Sequence, residues 1–157
     1  MPVVVGELAP DFALYDTDKK KVSLKDYRGK NIVLLFFPFA FSSVCSKELC
    51  EVRDNYSFYE KLNAPIIAIS VDSLYTNAKF KELNKFNFLL LSDFNKEVSR
   101  KYDSLIENFN FDYQGVSKRS TFVIDKKGKI VYAEILANPG DYPDMQKLKD
   151  AVTSLNY

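Results

Sequence analysis

Short apolar runs alternate along this chain with amphipathic stretches, and the spacing within each predicts its element. After Asn31, Ile32-Val33-Leu34-Leu35-Phe36-Phe37 is apolar without a break. That is the pattern of a central strand covered on both faces, since a strand wetted on one side alternates. Pro38 ends it, having no N–H to give to a sheet. From about Ser43 through Leu62, the residues Val44, Leu49, Val52, Tyr56, Tyr59 and Leu62 recur at helical spacing among charged residues, predicting one amphipathic helix. Pro65-Ile66-Ile67-Ala68-Ile69-Ser70-Val71 reads as the next buried strand. Ser73 or Thr76 then caps a helix through Lys85, Leu89 to Asp93 forms a short strand, and Lys96 to Tyr102 another helix. Strand and helix alternating in this way predict a parallel core.

Both ends of the chain read differently. Phe12 to Asp16 predicts a strand, Asp16 to Lys21 its turn, and Val22-Ser23-Leu24 the returning partner. Ser23 is placed to cap a helical turn through Lys25-Asp26-Tyr27, ended by Arg28-Gly29-Lys30. Near the C-terminus, Ser120 to Asp125 and Lys129 to Glu134 predict a hairpin across Lys126-Lys127-Gly128. A last helix, Asp144 to Leu155, covers one sheet face. The sum is an α/β protein of thioredoxin-like fold: a mixed central sheet with helices on both faces and an N-terminal β-hairpin extension. With 157 residues and no linker, repeat or low-complexity tract, residues 1–157 are expected to form a single domain.

Composition removes several kinds of function. Twenty-two basic and twenty-one acidic residues nearly cancel, which argues against nucleic acid and against an anionic membrane as partner. The start Met1-Pro2-Val3-Val4-Val5-Gly6-Glu7 lacks the basic and apolar regions of a signal peptide, and the longest apolar stretch, Ile32 to Phe41, is interrupted by Pro38. A cytoplasmic protein is expected. The five glycines supply neither a phosphate loop nor a dinucleotide fingerprint, and two cysteines without any histidine make a poor zinc site, so no cofactor or metal is expected. A chain lacking histidine also cannot run a Ser-His-Asp or Cys-His relay.

That leaves Cys45 and Cys50, too few for a secreted disulfide framework. Cys45 follows the buried strand and falls in the first turn of the next helix, at the sheet edge where open α/β folds place their sites. Unpaired N–H groups and the positive end of the helix dipole there favour a thiolate. Ser42 is three residues before Cys45, near enough to offer a hydroxyl to the sulfur, to an oxygen substrate, or to the helix as its N-cap. Pro38 fixes the loop between. Arg119, just before the Ser120 strand, would stabilise a thiolate and polarise a peroxide if it turned inward, and would otherwise be a surface salt-bridge residue.

The segment Pro38-Phe39-Ala40-Phe41-Ser42-Ser43-Val44-Cys45 resembles the peroxiredoxin active-site pattern Pro-x-x-x-Thr/Ser-x-x-Cys. The resemblance runs on through Ser46 to Leu49, Val52-Arg53-Asp54 and Gly115 to Asp125, and includes the opening Gly6 to Phe12. Within the family it is similar to the bacterioferritin-comigratory type and the one-cysteine E-type alkyl hydroperoxide reductases. The resemblance implies a thiol-dependent peroxidase acting on hydrogen peroxide and organic hydroperoxides, with Cys45 as peroxidatic nucleophile. Pro38, Ser42 and Arg119 would complete its pocket, and Glu48 would order the surrounding hydrogen bonds; on its own pattern Glu48 reads equally as a solvent-facing helix residue. Ser42 stands where Thr is commoner, keeping the hydroxyl and losing a methyl. The resemblance further implies a monomer or homodimer.

Attack on a hydroperoxide would leave a sulfenic acid for a second thiol to resolve. Cys50 is the candidate, recycled by a thioredoxin- or glutaredoxin-like reductant; its other reading is a small buried apolar residue, with an external thiol doing the resolving. In an intact helix five residues separate Cα atoms by about 8 to 9 Å, beyond the roughly 7 Å limit of a disulfide. Residues 42 to 52 would therefore melt on oxidation. Two rival functions share the sulfur chemistry: thioredoxin-type dithiol–disulfide exchange, whose usual motif has two residues between its cysteines where this chain has four, and a peroxide sensor relaying oxidation to a partner.

Overall fold

The computed structural model describes residues 3–155; Met1 and Pro2 of the expected extended start, with Asn156 and Tyr157, lie outside the described residues. The N-terminal hairpin forms as expected, β1 (Ala13–Asp16) antiparallel to β2 (Lys21–Ser23) with Leu14 opposite Val22. Asp16 holds its turn by accepting hydrogen bonds from the N–H groups of Asp18 and Lys20, the local bonding that makes Asp a turn residue. A 3-10 turn, Leu24–Tyr27, follows, and the Ser23 N–H donates to Asp26 Oδ2 at 3.0 Å.

Both unbroken apolar runs are central strands. Every residue of β3 (Ile32–Phe36) and of β4 (Ile66–Ser70) is buried. They pair parallel with each other, and β4 pairs parallel with β5 (Leu89–Ser92). On its other edge β3 pairs antiparallel with β8 (Ser120–Ile124), which turns back into β9 (Ile130–Ile135) with a register irregularity at Val123/Ile124. The sheet order is β2-β1-β5-β4-β3-β8-β9.

Successive β3 side chains point to opposite faces and so feed two cores. Val33, Leu35 and Phe37 pack with Cys45, Leu49 and Val52 of α1 (Ser43–Asp54), Tyr59 of α2 (Tyr56–Lys61), Phe80 of α3 (Leu74–Asn84) and Leu148 of α5 (Met145–Ser154). Ile32, Leu34 and Phe36 pack with Leu24, Tyr102 and Val98 of α4 (Glu97–Lys101). Helical elements thus cover both faces, as the pattern predicts.

Two local readings differ. The single helix expected from Ser43 to Leu62 is broken at Asn55, whose side-chain amide donates to the Glu51 carbonyl at 2.8 Å. Such local bonding competes with a continued helix, and both halves still present their apolar face to the core. The segment between α4 and β8 contains a separate hairpin of β6 (Leu105–Asn108) and β7 (Gln114–Ser117), beyond the elements predicted.

Candidate active site

Antiparallel pairing of β3 with β8 sets the geometry. Phe36, the last residue of β3, lies opposite Ser120, the first of β8. The chain leaves β3 toward Pro38 and α1 at the very edge where Arg119 enters β8. Backbone bonding from Leu136 N–H to the Arg119 carbonyl, 3.0 Å, fixes that edge.

Cys45 sits in the first turn of α1 with its side chain fully buried. Arg119 turns inward and is 2% exposed. Its Nη1 donates to Cys45 Sγ at 3.2 Å and to Glu48 Oε1 at 3.0 Å, while Nη2 donates to the Pro139 carbonyl at 2.9 Å. A surface salt bridge is therefore the wrong reading for Arg119. The solvent-facing alternative for Glu48 also fails, since its side chain is 0% exposed. Burial pushes the Glu48 carboxyl up to about 7, although the neighbouring Arg119 guanidinium pulls it back. For Arg119, burial acts to discharge the guanidinium, but the opposing charges of Cys45 and Glu48 and its hydrogen bonds to both prevail and raise it. Glu48 Oε2 and Arg119 Nε have no hydrogen-bond partner among the described residues, so this charge set is balanced mainly by its own members.

Ser42 occupies the N-cap position of α1 in extended backbone, and its carbonyl accepts from Ser46 N–H at 2.9 Å. Its hydroxyl does not cap the helix: it donates to the Phe39 carbonyl at 2.9 Å. The capping expectation thus holds for the backbone and not for the side chain, whose oxygen remains able to accept. Pro38, Ser42 and Arg119 line one cleft of about 360 Å³, walled by Phe39, Phe109 and Tyr113. The rings of Phe109 and Tyr113 stand edge-on to Phe39 at 5.6 and 5.7 Å. A larger groove of about 740 Å³, between Val3, Leu8 and Arg100, contains neither cysteine nor the guanidinium that faces Cys45. The charged cluster, and not the larger volume, marks the candidate site.

Cys50 lies farther along α1, half-buried, with Sγ 3.7 Å from Asn84 Oδ1 of α3; both cysteines are free thiols. Three neighbours were not apparent from sequence. Asp72 accepts the Ala40 N–H at 2.8 Å; Pro139 receives Arg119; and Tyr142 donates to Glu51 Oε1 at 3.0 Å with Lys47 Nζ 4.8 Å from its ring centre. For Asp72 a signal existed, because Ser70-Val71-Asp72 leaves a buried strand at the same sheet edge as Cys45.

Residues 5–133 match the model of the AhpC/TSA family. The chain is 39% identical over 133 residues to peroxiredoxin Bcp of Bacillus subtilis (strain 168), spanning 83% of this chain and 84% of that protein. It is 38% identical over 154 residues to alkyl hydroperoxide reductase E of Mycobacterium tuberculosis (strain ATCC 25618 / H37Rv), 96% of this chain and 97% of that one. Among solved structures, peroxidoxin BcpB from Mycobacterium tuberculosis superposes with a TM-score of 0.86 at 26% identity, covering 98% of each chain. That neighbour has the thioredoxin-like peroxiredoxin fold, and the named relatives do not favour simple dithiol exchange. With a family model covering most of its length and peroxiredoxin relatives along it, the chain belongs to the AhpC/TSA family and is a peroxiredoxin, a thiol-dependent peroxidase.

Proposed function

We propose that Cys45 is the peroxidatic residue and that Pro38, Ser42, Glu48 and Arg119 form its working surround. The observation that carries this reading is the buried guanidinium of Arg119 shared between Cys45 Sγ and Glu48. Arginine keeps its charge at any physiological pH, so it can offset a thiolate without a histidine. In the reaction, the Cys45 thiolate attacks the terminal oxygen of a hydroperoxide. The O–O bond breaks as S–O forms, sulfur is oxidised to sulfenic acid, and the departing oxygen takes a proton from water to leave as water or an alcohol. Arg119 and the Ser42 hydroxyl, which line the cleft together, are the groups available to orient the peroxide and take up charge developing on the departing oxygen. Phe39, Phe109 and Tyr113 give that cleft an apolar wall suited to organic hydroperoxides as well as hydrogen peroxide.

Cys50 then resolves the sulfenic acid as an intramolecular disulfide, which a thioredoxin- or glutaredoxin-like partner reduces. Because both cysteines lie on α1, that step requires its N-terminal turns to open. A cytoplasmic setting goes with this reading, since both thiols are free and must return to that state; no helix among the described residues is long and apolar enough to cross a membrane.

Stopped-flow consumption of hydrogen peroxide by the reduced protein, beside Cys45→Ser and Cys50→Ser, tests the assignment. Rapid single-turnover reaction is expected in wild type and Cys50→Ser and not in Cys45→Ser. A reaction no faster than a free thiol, and indifferent to Cys45, would overturn it.

A further inference from the structure

We propose that Asp72 is a positioning residue for peroxide attack, holding the Pro38–Ser42 loop at the correct distance from Cys45 while leaving the sulfur itself untouched. The inference rests on the Cys45 reading above and concerns a residue outside that site.

The loop has an independent problem of placement. Cys45 is held by α1, and Arg119 by the edge of β8, but the chain between Pro38 and Ser42 has no regular structure and carries Pro38 and Ser42 into the lining of the cleft. Its turn passes through Phe41 at φ 71°, a left-handed conformation disfavoured for a bulky residue and maintained only where the surroundings dictate it. Two contacts dictate it here. The Phe41 ring packs on Phe80 of α3 with centroids 5.0 Å apart, and the preceding Ala40 N–H donates to Asp72 Oδ2 at 2.8 Å.

Asp72 is well built for this task. It stands two residues past the end of β4, Ser70 Oγ donates to the same Oδ2 at 2.8 Å, and the Asp72 carbonyl accepts from Ser92 Oγ of β5 at 2.6 Å. Asp72 is thus anchored to β4 through its carboxylate and to β5 through its backbone carbonyl, and the same carboxylate reaches the loop. A carboxylate accepts without donating, so it receives both Ala40 N–H and Ser70 O–H. The arrangement transmits the register of the sheet to the backbone that presents Ser42. Nothing in it touches Cys45, Glu48 or Arg119.

This separation predicts a particular kinetic signature. Cys45 is buried, so alkylation needs only the thiolate and an opening that lets the reagent in; peroxide reduction additionally needs the oxygens oriented by the loop, and small misplacements of such groups cost large factors in rate. In Asp72→Ala the single-turnover rate constant with hydrogen peroxide is expected to fall at least about tenfold, while iodoacetamide alkylation of Cys45, mapped by peptide mass, does not fall. Asp72→Asn, whose amide oxygen still accepts the Ala40 N–H, is expected to recover most of the peroxide rate. Thermal melting of each variant is recorded alongside. Should Asp72→Ala fail to fold, Asp72→Glu, which overshoots the loop by one methylene, must show the same split. Equal loss in both reactions, no loss in a folded Asp72→Ala, or Asp72→Asn as slow as Asp72→Ala would each overturn the proposal. Rapid peroxide reaction surviving in Cys45→Ser would instead overturn the Cys45 assignment, so the two failures are distinct.

Discussion

Replacing Arg119 by methionine, alone and together with Glu48→Gln, separates the two things this arginine does. Arg119→Met removes the hydrogen bond to Cys45 Sγ at 3.2 Å and the partner of a carboxylate that is 0% exposed. A hydrogen bond to a charged group is worth about 1.5–3 kcal/mol, so loss of the sulfur contact alone should slow single-turnover peroxide reduction about 10- to 150-fold. Above pH 7, where Glu48 is ionised, stranding a buried carboxylate costs about 3–5 kcal/mol, which at this chain length lowers the melting temperature by about 6–20 °C. The double variant strands nothing, because a glutamine is neutral. It should regain much of the stability and none of the rate. Stopped-flow peroxide consumption and thermal melting on the same three proteins read the two quantities separately. If rate returned with stability in the double variant, Arg119 would be a structural residue and the electrostatic argument would fall; if Arg119→Met melted like wild type, the burial argument would fall instead.

Glu48 gives a signed pH dependence. Its folded value of about 7 lies above its ordinary 4.5, so between these the native state holds a proton that the unfolded chain has released, and stability falls as pH rises through that window. Glu48→Gln should flatten this slope in urea titrations run from pH 4.5 to 7.5, and an unchanged slope counts against the assignment. One equivalent of hydrogen peroxide should join Cys45 to Cys50 and strip amide-exchange protection from residues 42–52, read by exchange mass spectrometry; full protection in a disulfide-containing product would show the geometry wrong. Tyr142→Phe loses the hydrogen bond to Glu51 at 3.0 Å, a contribution of about 0.5–1.5 kcal/mol. Quenched-flow mapping should then find the disulfide forming about 2- to 10-fold faster, and a slower step would mean that Tyr142 does not restrain α1.

The sequence made the central strands legible because β3 and β4 are buried on both faces and carry no polar residue before Ser70. Hairpins at both ends were legible from turn chemistry at Asp16 and at Lys126-Lys127-Gly128. The β6–β7 hairpin was not: its outer positions are exposed and its pairing lies outside the main sheet, so burial printed no alternation on it. The break at Asn55 was hidden because both helices keep one apolar face. In the site, spacing to Cys45 gave Pro38 and Ser42, position before the Ser120 strand raised Arg119 with two readings open, and resemblance supplied Glu48 and the inward turn of Arg119. What neither could supply were contacts closed by tertiary structure, Asp72 to Ala40 across 32 positions and Arg119 to Pro139 across 20. Ser42 shows the same limit, since a hydroxyl at an N-cap can equally bond its own loop.

Both cysteines ride on α1, so under the proposed resolution by Cys50 the helix that presents the thiol is also the part that must come apart before the oxidised thiol can be rescued. A sulfenic acid that waits too long is exposed to further, irreversible oxidation. Substitutions chosen to toughen the protein at α1, whether a better cap at Ser42 or tighter packing at Leu49 and Val52, therefore trade heat resistance for vulnerability to excess oxidant. The most rugged version of this enzyme would be the one most easily poisoned by its own substrate.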